Sequence, residues 1–113
     1  MPFSYKPLFL LEGETFSLLE IKALDVQSDD PAEVYFWFRY DHVSQHLEHL
    51  PFVSMDKQEN EQQREFTQGH LVFTPQQGTF TTPDTAPIPL QVRQPGPLQP
   101  ALDAAIQRYF IGA

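Results

Sequence analysis

A chain of 113 residues suits one compact domain and leaves no room for two. Its apolar fraction of 41%, with ten Phe, four Tyr and Trp37, can fill a core without disulfides or a structural metal, which argues against wholesale disorder. A net charge of −8 without any Lys/Arg cluster disfavours direct nucleic-acid or membrane-surface binding, and the absence of cysteine removes thiol nucleophiles, thiolate zinc sites and disulfide frameworks.

The elements follow in chain order. The N-terminal residues precede only the four-residue apolar run Leu8–Leu11, too short for a secretory signal of about 7–15 apolar residues or a span of about 20. A cytoplasmic location is therefore expected. Phe9–Leu11 reads as a first short strand ending at Gly13. Residues 15–26 carry two signals. Ser17-Leu18-Leu19-Glu20 resembles a helix capping box, while Leu19, Ile21 and Ala23 alternate with Glu20 and Lys22 as in a half-buried strand. The turn-forming residues 27–31 directly before a strand favour the strand and a hairpin.

Glu33–Asp41 is the clearest strand, with Val34, Phe36, Phe38 and Tyr40 on one face and Tyr35, Trp37 and Arg39 on the other. Large apolar residues on both faces predict a central strand covered on each side. Residues 42–51 fit either a short helix or a continuation of that strand. The run 56–65 has no apolar side chain at all and reads as an exposed polar loop or, at most, an exposed helical turn. Phe66–Thr74 and Thr79–Thr82 predict a hairpin around Pro75-Gln76-Gln77-Gly78, with Gly78 supplying a left-handed turn residue.

Six prolines within 83–100 predict an extended segment with only an edge strand at Ile88–Val92, because proline cannot donate to a ladder. The tail predicts a helix over about 100–111. Pro100 stands near its start, Leu102, Ala105, Ile106, Tyr109 and Phe110 form a stripe, and Gly112 closes it. The expected fold is α+β over a single domain, 1–113. It comprises an antiparallel sheet of about five strands in hairpins, with the C-terminal helix packed on it or on a dimer partner.

Three constellations carry chemistry. On a helix, His42, His46 and His49 would share one face, and His70 could join them to hold a zinc ion for a metal-dependent hydrolase. The segment has no His-Glu-x-x-His motif, since Val43 stands where the glutamate would be, so a His-rich polar face explains it as simply. Tyr35, Trp37 and Arg39 on alternate positions could form a platform for a protein partner, or could be covered by packing. Acidic residues, Asp29 and Asp30 among them, could dock a basic protein surface or serve solubility alone.

No glycine-rich phosphate loop and no Gly-x-Ser-x-Gly elbow is present. Pro97-Leu98-Gln99-Pro100 matches the spacing of extended proline ligands, though Leu98 also suits a helix anchor. The expectation is a small non-enzymatic protein-binding module without a cofactor, of the adaptor, inhibitor or immunity type, that could form a homodimer. The alternatives are a metal-binding protein or hydrolase, and a small-ligand carrier with an aromatic pocket.

Overall fold

Side-chain alternation along antiparallel strands assigns every residue to one of two layers, and the pairing register shows which residues share a layer. The structure, a computed structural model, describes residues 3–23 and 34–112. The strands are β1 (Tyr5–Glu12), β2 (Phe16–Ala23), β3 (Val34–Asp41), β4 (Leu47–Leu50), β5 (Phe52–Gln58), β6 (Glu61–Phe66), β7 (His70–Phe73), β8 (Gln77–Thr81) and β9 (Ile88–Arg93). One helix, α1 (Pro100–Ile111), follows them. All pairs are antiparallel, in the order β4-β3-β2-β1-β9-β8-β7-β6-β5.

Each strand therefore lies beside its sequence neighbour except at two places. β9 returns to pair with β1, joining the end of the meander to its start. β4 and β5 form the two ends of the sheet although only Pro51 separates them in the chain. The Pro51 carbonyl accepts the Thr67 N–H at 3.2 Å, so the strand leaves β3 and takes β6 as its partner at this residue. The sheet is thus rolled nearly into a barrel.

Both faces of its first half are apolar, for different reasons. The inner face carries Leu11, Phe16, Leu18, Trp37, Leu50, Phe66, Leu71, Phe73, Phe80 and Leu90 as one buried cluster drawn from β1–β4 and β6–β9. The outer face of β1–β4 presents Leu19, Ile21, Phe38 and Tyr40 to Leu102, Ala105 and Ile106 of α1. That double coverage explains why β2 and β3 show long apolar runs rather than strict alternation.

α1 is tied down at both ends of the chain. Phe3 exchanges backbone hydrogen bonds with the Gln107 amide at 2.6 and 2.9 Å, the Tyr5 hydroxyl donates to the Asp103 carboxylate, and the Phe3 and Phe110 rings stack at 3.9 Å. The helix packs on its own sheet. Leu98 joins the same cluster, so the proline-spaced segment serves as its anchor.

Several sequence expectations need correction. The described residues form nine strands, not about five. The difference lies largely in 56–65, which is the ladder of hairpin β5–β6, turned at Glu59 (φ 48°) and Asn60, and not a loop. Every residue of β5 is exposed, so no apolar alternation marks the strand. Residues 42–50 are neither a helix nor a continued strand. The Asp41 carboxylate accepts the Val43 and Ser44 N–H groups at 2.9 and 2.8 Å, the chain turns through Gln45 (φ 59°), and β4 runs back along β3.

Phe66–Thr74 is broken at 67–69 into β6 and β7, with Phe66 N–H donating to the Gly69 carbonyl. Gly78 lies within β8 and does not close a turn. A Cβ there would sit 2.8 Å from Leu11 Cδ2 and 2.9 Å from Phe73 Cβ, so its role is close approach. β9 is internal, not an edge. Its residues 88–91 pair with β8 and 91–93 with β1, so Pro89 meets a ladder on one side only.

Ile106 is fully buried between α1 and the sheet. Ile106→Ala is expected to lower unfolding stability by about 2–5 kcal/mol in chemical denaturation. A loss near zero would show that α1 contributes little to the folded state.

Candidate functional site

The residues singled out from sequence do not converge. Trp37 is 2% exposed and points into the barrel, where its ring meets Phe66 at 5.5 Å and Phe73 at 6.1 Å. Arg39 lies over the Phe16 ring at 4.3 Å, and Tyr35 is 47% exposed at the start of β3. The three share the inner side of β3, where Trp37 is packed, Arg39 is half-buried against Phe16 and Tyr35 is exposed. Asp29 and Asp30 lie outside the described residues.

The histidines are dispersed. His42 and His46 occupy the β3–β4 turn. His49 lies on the outer face of β4 near Phe36, Phe38 and Tyr109, at 5.6, 5.7 and 6.2 Å. His70 on β7 pairs with Glu65 on the far side of the sheet. Among the described residues, no group of three His, Asp or Glu side chains could hold a metal ion. The four histidines therefore do not fit a zinc centre, because the helix that would have aligned three of them does not form.

The barrel interior holds a charged pair that sequence inspection missed. Glu20 sits directly across from Trp37 on β3 and Phe9 on β1. It is 6% exposed, and Arg64 on β6 is 5% exposed. The guanidinium lies 5.9 Å from the Trp37 ring and 5.5 Å from the Phe73 ring, and donates to the Gln63 carbonyl and the Gln62 side chain at 3.0 and 2.7 Å. Trp37 Nε1 and Arg64 Nε are buried without a hydrogen-bond partner.

Burial raises the Glu20 carboxyl above its ordinary range, against the opposing pull of the Arg64 charge and the nearby Trp37 indole N–H. Burial likewise lowers Arg64, with Glu20 opposing. These groups specify the packing of the interior. Aromatic and aliphatic side chains fill the rest of it, so the barrel is a core.

A groove of about 450 Å³ lies outside the barrel, beneath the start of α1. Ser17, Glu12 and Tyr40 form one cross-strand row in its floor, and Arg93 pairs with Glu12 at 3.5 Å. Ser17 Oγ and His42 Nε2 are 2.7 Å apart. This serine–imidazole pair arises from the β2–β3 register, 25 residues apart in sequence, and no local motif announces it. Ser17 is 4% exposed, and the neighbouring Asp41 carboxylate is engaged by the turn backbone rather than by the ring. The pair acts as a tie between the turn and β2.

The exposed edge is β5. All seven of its residues are exposed, and Phe52 (44%), Val53 (61%) and Met55 (61%) are large apolar side chains. β5 pairs with β6 alone. Its two-residue turn makes Gln58/Glu61 the hydrogen-bonded closing pair, and antiparallel alternation then directs the N–H and C=O of Met55 and Lys57 away from β6, to the open side, where the Lys57 N–H donates to the Asp56 carboxylate at 2.8 Å.

Compared with protein-family models, with curated proteins and with solved structures, the chain matches none. Among the described residues, no helix is long and apolar enough to cross a membrane.

The Glu20 environment has a consequence with a defined sign. Its folded-state pKa lies above the unfolded one, so its contribution to stability is greatest in acid and declines as pH rises above the unfolded carboxyl range, about 4.3. Glu20→Gln, which mimics the protonated form, is expected to raise stability at neutral pH and to match the parent in acid, by denaturant titration at both. A loss at neutral pH would mean that attraction to Arg64 outweighs burial.

Proposed function

We propose that this chain is a cytoplasmic, non-enzymatic protein-binding module that docks an extended segment of another protein along the open edge of β5. One observation carries the reading: a seven-residue edge strand, unpaired on one side, that displays Phe52, Val53 and Met55. An edge strand offers a ready row of backbone donors and acceptors, and soluble proteins ordinarily protect such edges with proline, bulges or inward charges. β5 follows Pro51, has a register shift near Phe52 and carries Lys57 on its inner layer, yet it keeps Phe52, Val53 and Met55 in water. Strand addition draws affinity from main-chain hydrogen bonds and specificity from alternate side chains.

The docking surface differs from the two expected from sequence. Trp37 and Arg39 face inward, and their packing supports a structural role. The filled interior gives no support to a small-ligand carrier, and the scattered histidines give none to a metal-dependent hydrolase.

Met55→Pro removes an outward N–H while leaving the donors that face β6 in place. On an affinity column, the variant is expected to lose a partner chain that the parent retains, with unchanged far-ultraviolet circular dichroism. Equal retention of that chain by both would refute docking at β5.

A further inference from the structure

We infer that the segment docked on β5 is about seven residues long and alternates apolar with basic side chains, the basic ones lying on the outer face of the sheet. The inference rests on β5 being the docking edge, and its ground is the charge of the hairpin. The register places Asp56 beside Gln63, Ser54 beside Glu65 and Gln58 beside Glu61. These six residues form the outer face of β5–β6, which carries three carboxylates and no cation.

Each carboxylate is engaged locally by one weak or short-range donor: Lys57 N–H on Asp56, Ser54 Oγ on Glu65 and Gln63 Nε2 on Glu61. None is neutralised by a lysine or arginine of the hairpin. On the adjoining strand, His70 lies across from Glu65. On the other face, Phe52 shares a layer with Phe66, and Met55 with Arg64. On its outer side an added strand would lie beside Ser54, Asp56 and Gln58 of β5, with Glu61 and Glu65 one strand farther on the same face. On its inner side it would lie beside Phe52, Met55 and Lys57.

Side chains directly opposite in adjacent strands lie about 4.5–5.5 Å apart at Cβ, which sets Asp56 beside a lysine or arginine of the added strand. Glu61 and Glu65 stand one strand spacing of about 4.8 Å beyond, at the reach of its long side chain. The length follows from β5 itself, whose seven residues are matched by a segment of equal number. A second copy of this chain is a poor occupant. Two-fold pairing of β5 with β5 preserves the faces, so it would bring two acidic outer faces side by side without a cation between them.

Two labelled synthetic heptapeptides test the inference against the full chain by fluorescence anisotropy, one alternating valine with lysine and one alternating valine with glutamate. The lysine peptide is expected to bind about tenfold or more tightly than the glutamate peptide. Its advantage is expected to collapse in roughly 1 M salt, where screening shortens to about 3 Å. Asp56→Asn combined with Glu61→Gln and Glu65→Gln is expected to erase the preference while retaining salt-resistant binding.

Equal binding of both peptides, with both lost in Met55→Pro, would overturn the charge inference and leave the docking edge standing. Binding of neither peptide, or binding unaffected by Met55→Pro, would overturn the edge itself.

Discussion

The two halves of the sheet meet where Leu11 of β1 lies against Gly78 of β8, and the rest of the architecture follows from that contact. Leu11 is fully buried, and the missing Cβ at Gly78 is what lets it approach. β9 reaches β1 through only three register pairs, Leu10–Arg93 to Glu12–Gln91, so the ladder alone is a short hinge between the halves. Apolar packing across it lets Trp37 on one half meet Phe66 and Phe73 on the other. Once those rings are together, the chain has one curved interior instead of two flat sheets, and the strands farthest apart in the ladder become neighbours at Pro51.

This closure is incomplete in an informative way. Pro51 carries no N–H, and its carbonyl is taken by Thr67, so the chain exchanges β3 for β6 without binding both along its whole length. β4 is sheltered by the β3–β4 turn and α1, whereas β5 projects with only β6 beside it. The same bend that brings the barrel together therefore creates its exposed edge. Inside, Glu20 and Arg64 are costly to bury, and their value lies in restricting how the aromatic side chains can be arranged. A one-residue slip of β2 would turn Glu20 into the layer beneath α1, away from Arg64.

Where a residue's burial follows from its own chemistry, the sequence was readable. The central strand at 34–41, the helix from Pro100 and the apolar stripe Leu102, Ala105 and Ile106 were legible because periodicity and burial agree there. β2 was ambiguous because both of its faces are covered, which hides the strand period. β5 was illegible for the opposite reason: neither face is covered, so polar residues such as Asp56, Lys57 and Gln58 occupy a ladder. The histidines misled because identical residue types at helical spacing say nothing about the backbone, and Asp41 turns it. Ser17 with His42, and Glu20 with Arg64, are products of strand register that no local motif contains.

The position of Trp37 divides the molecule into two spectroscopic compartments. The indole is enclosed in the barrel, while the aromatic side chains that hold α1, including Phe36, Phe38 and Phe110, lie on the opposite face of the sheet. Tryptophan emission therefore reports the interior and is nearly blind to the helix. Tyr109, near Phe38 and His49, gives the helix its own chromophore. Loosening of the helical layer and opening of the barrel become separable events, each with a reporter already built into the chain.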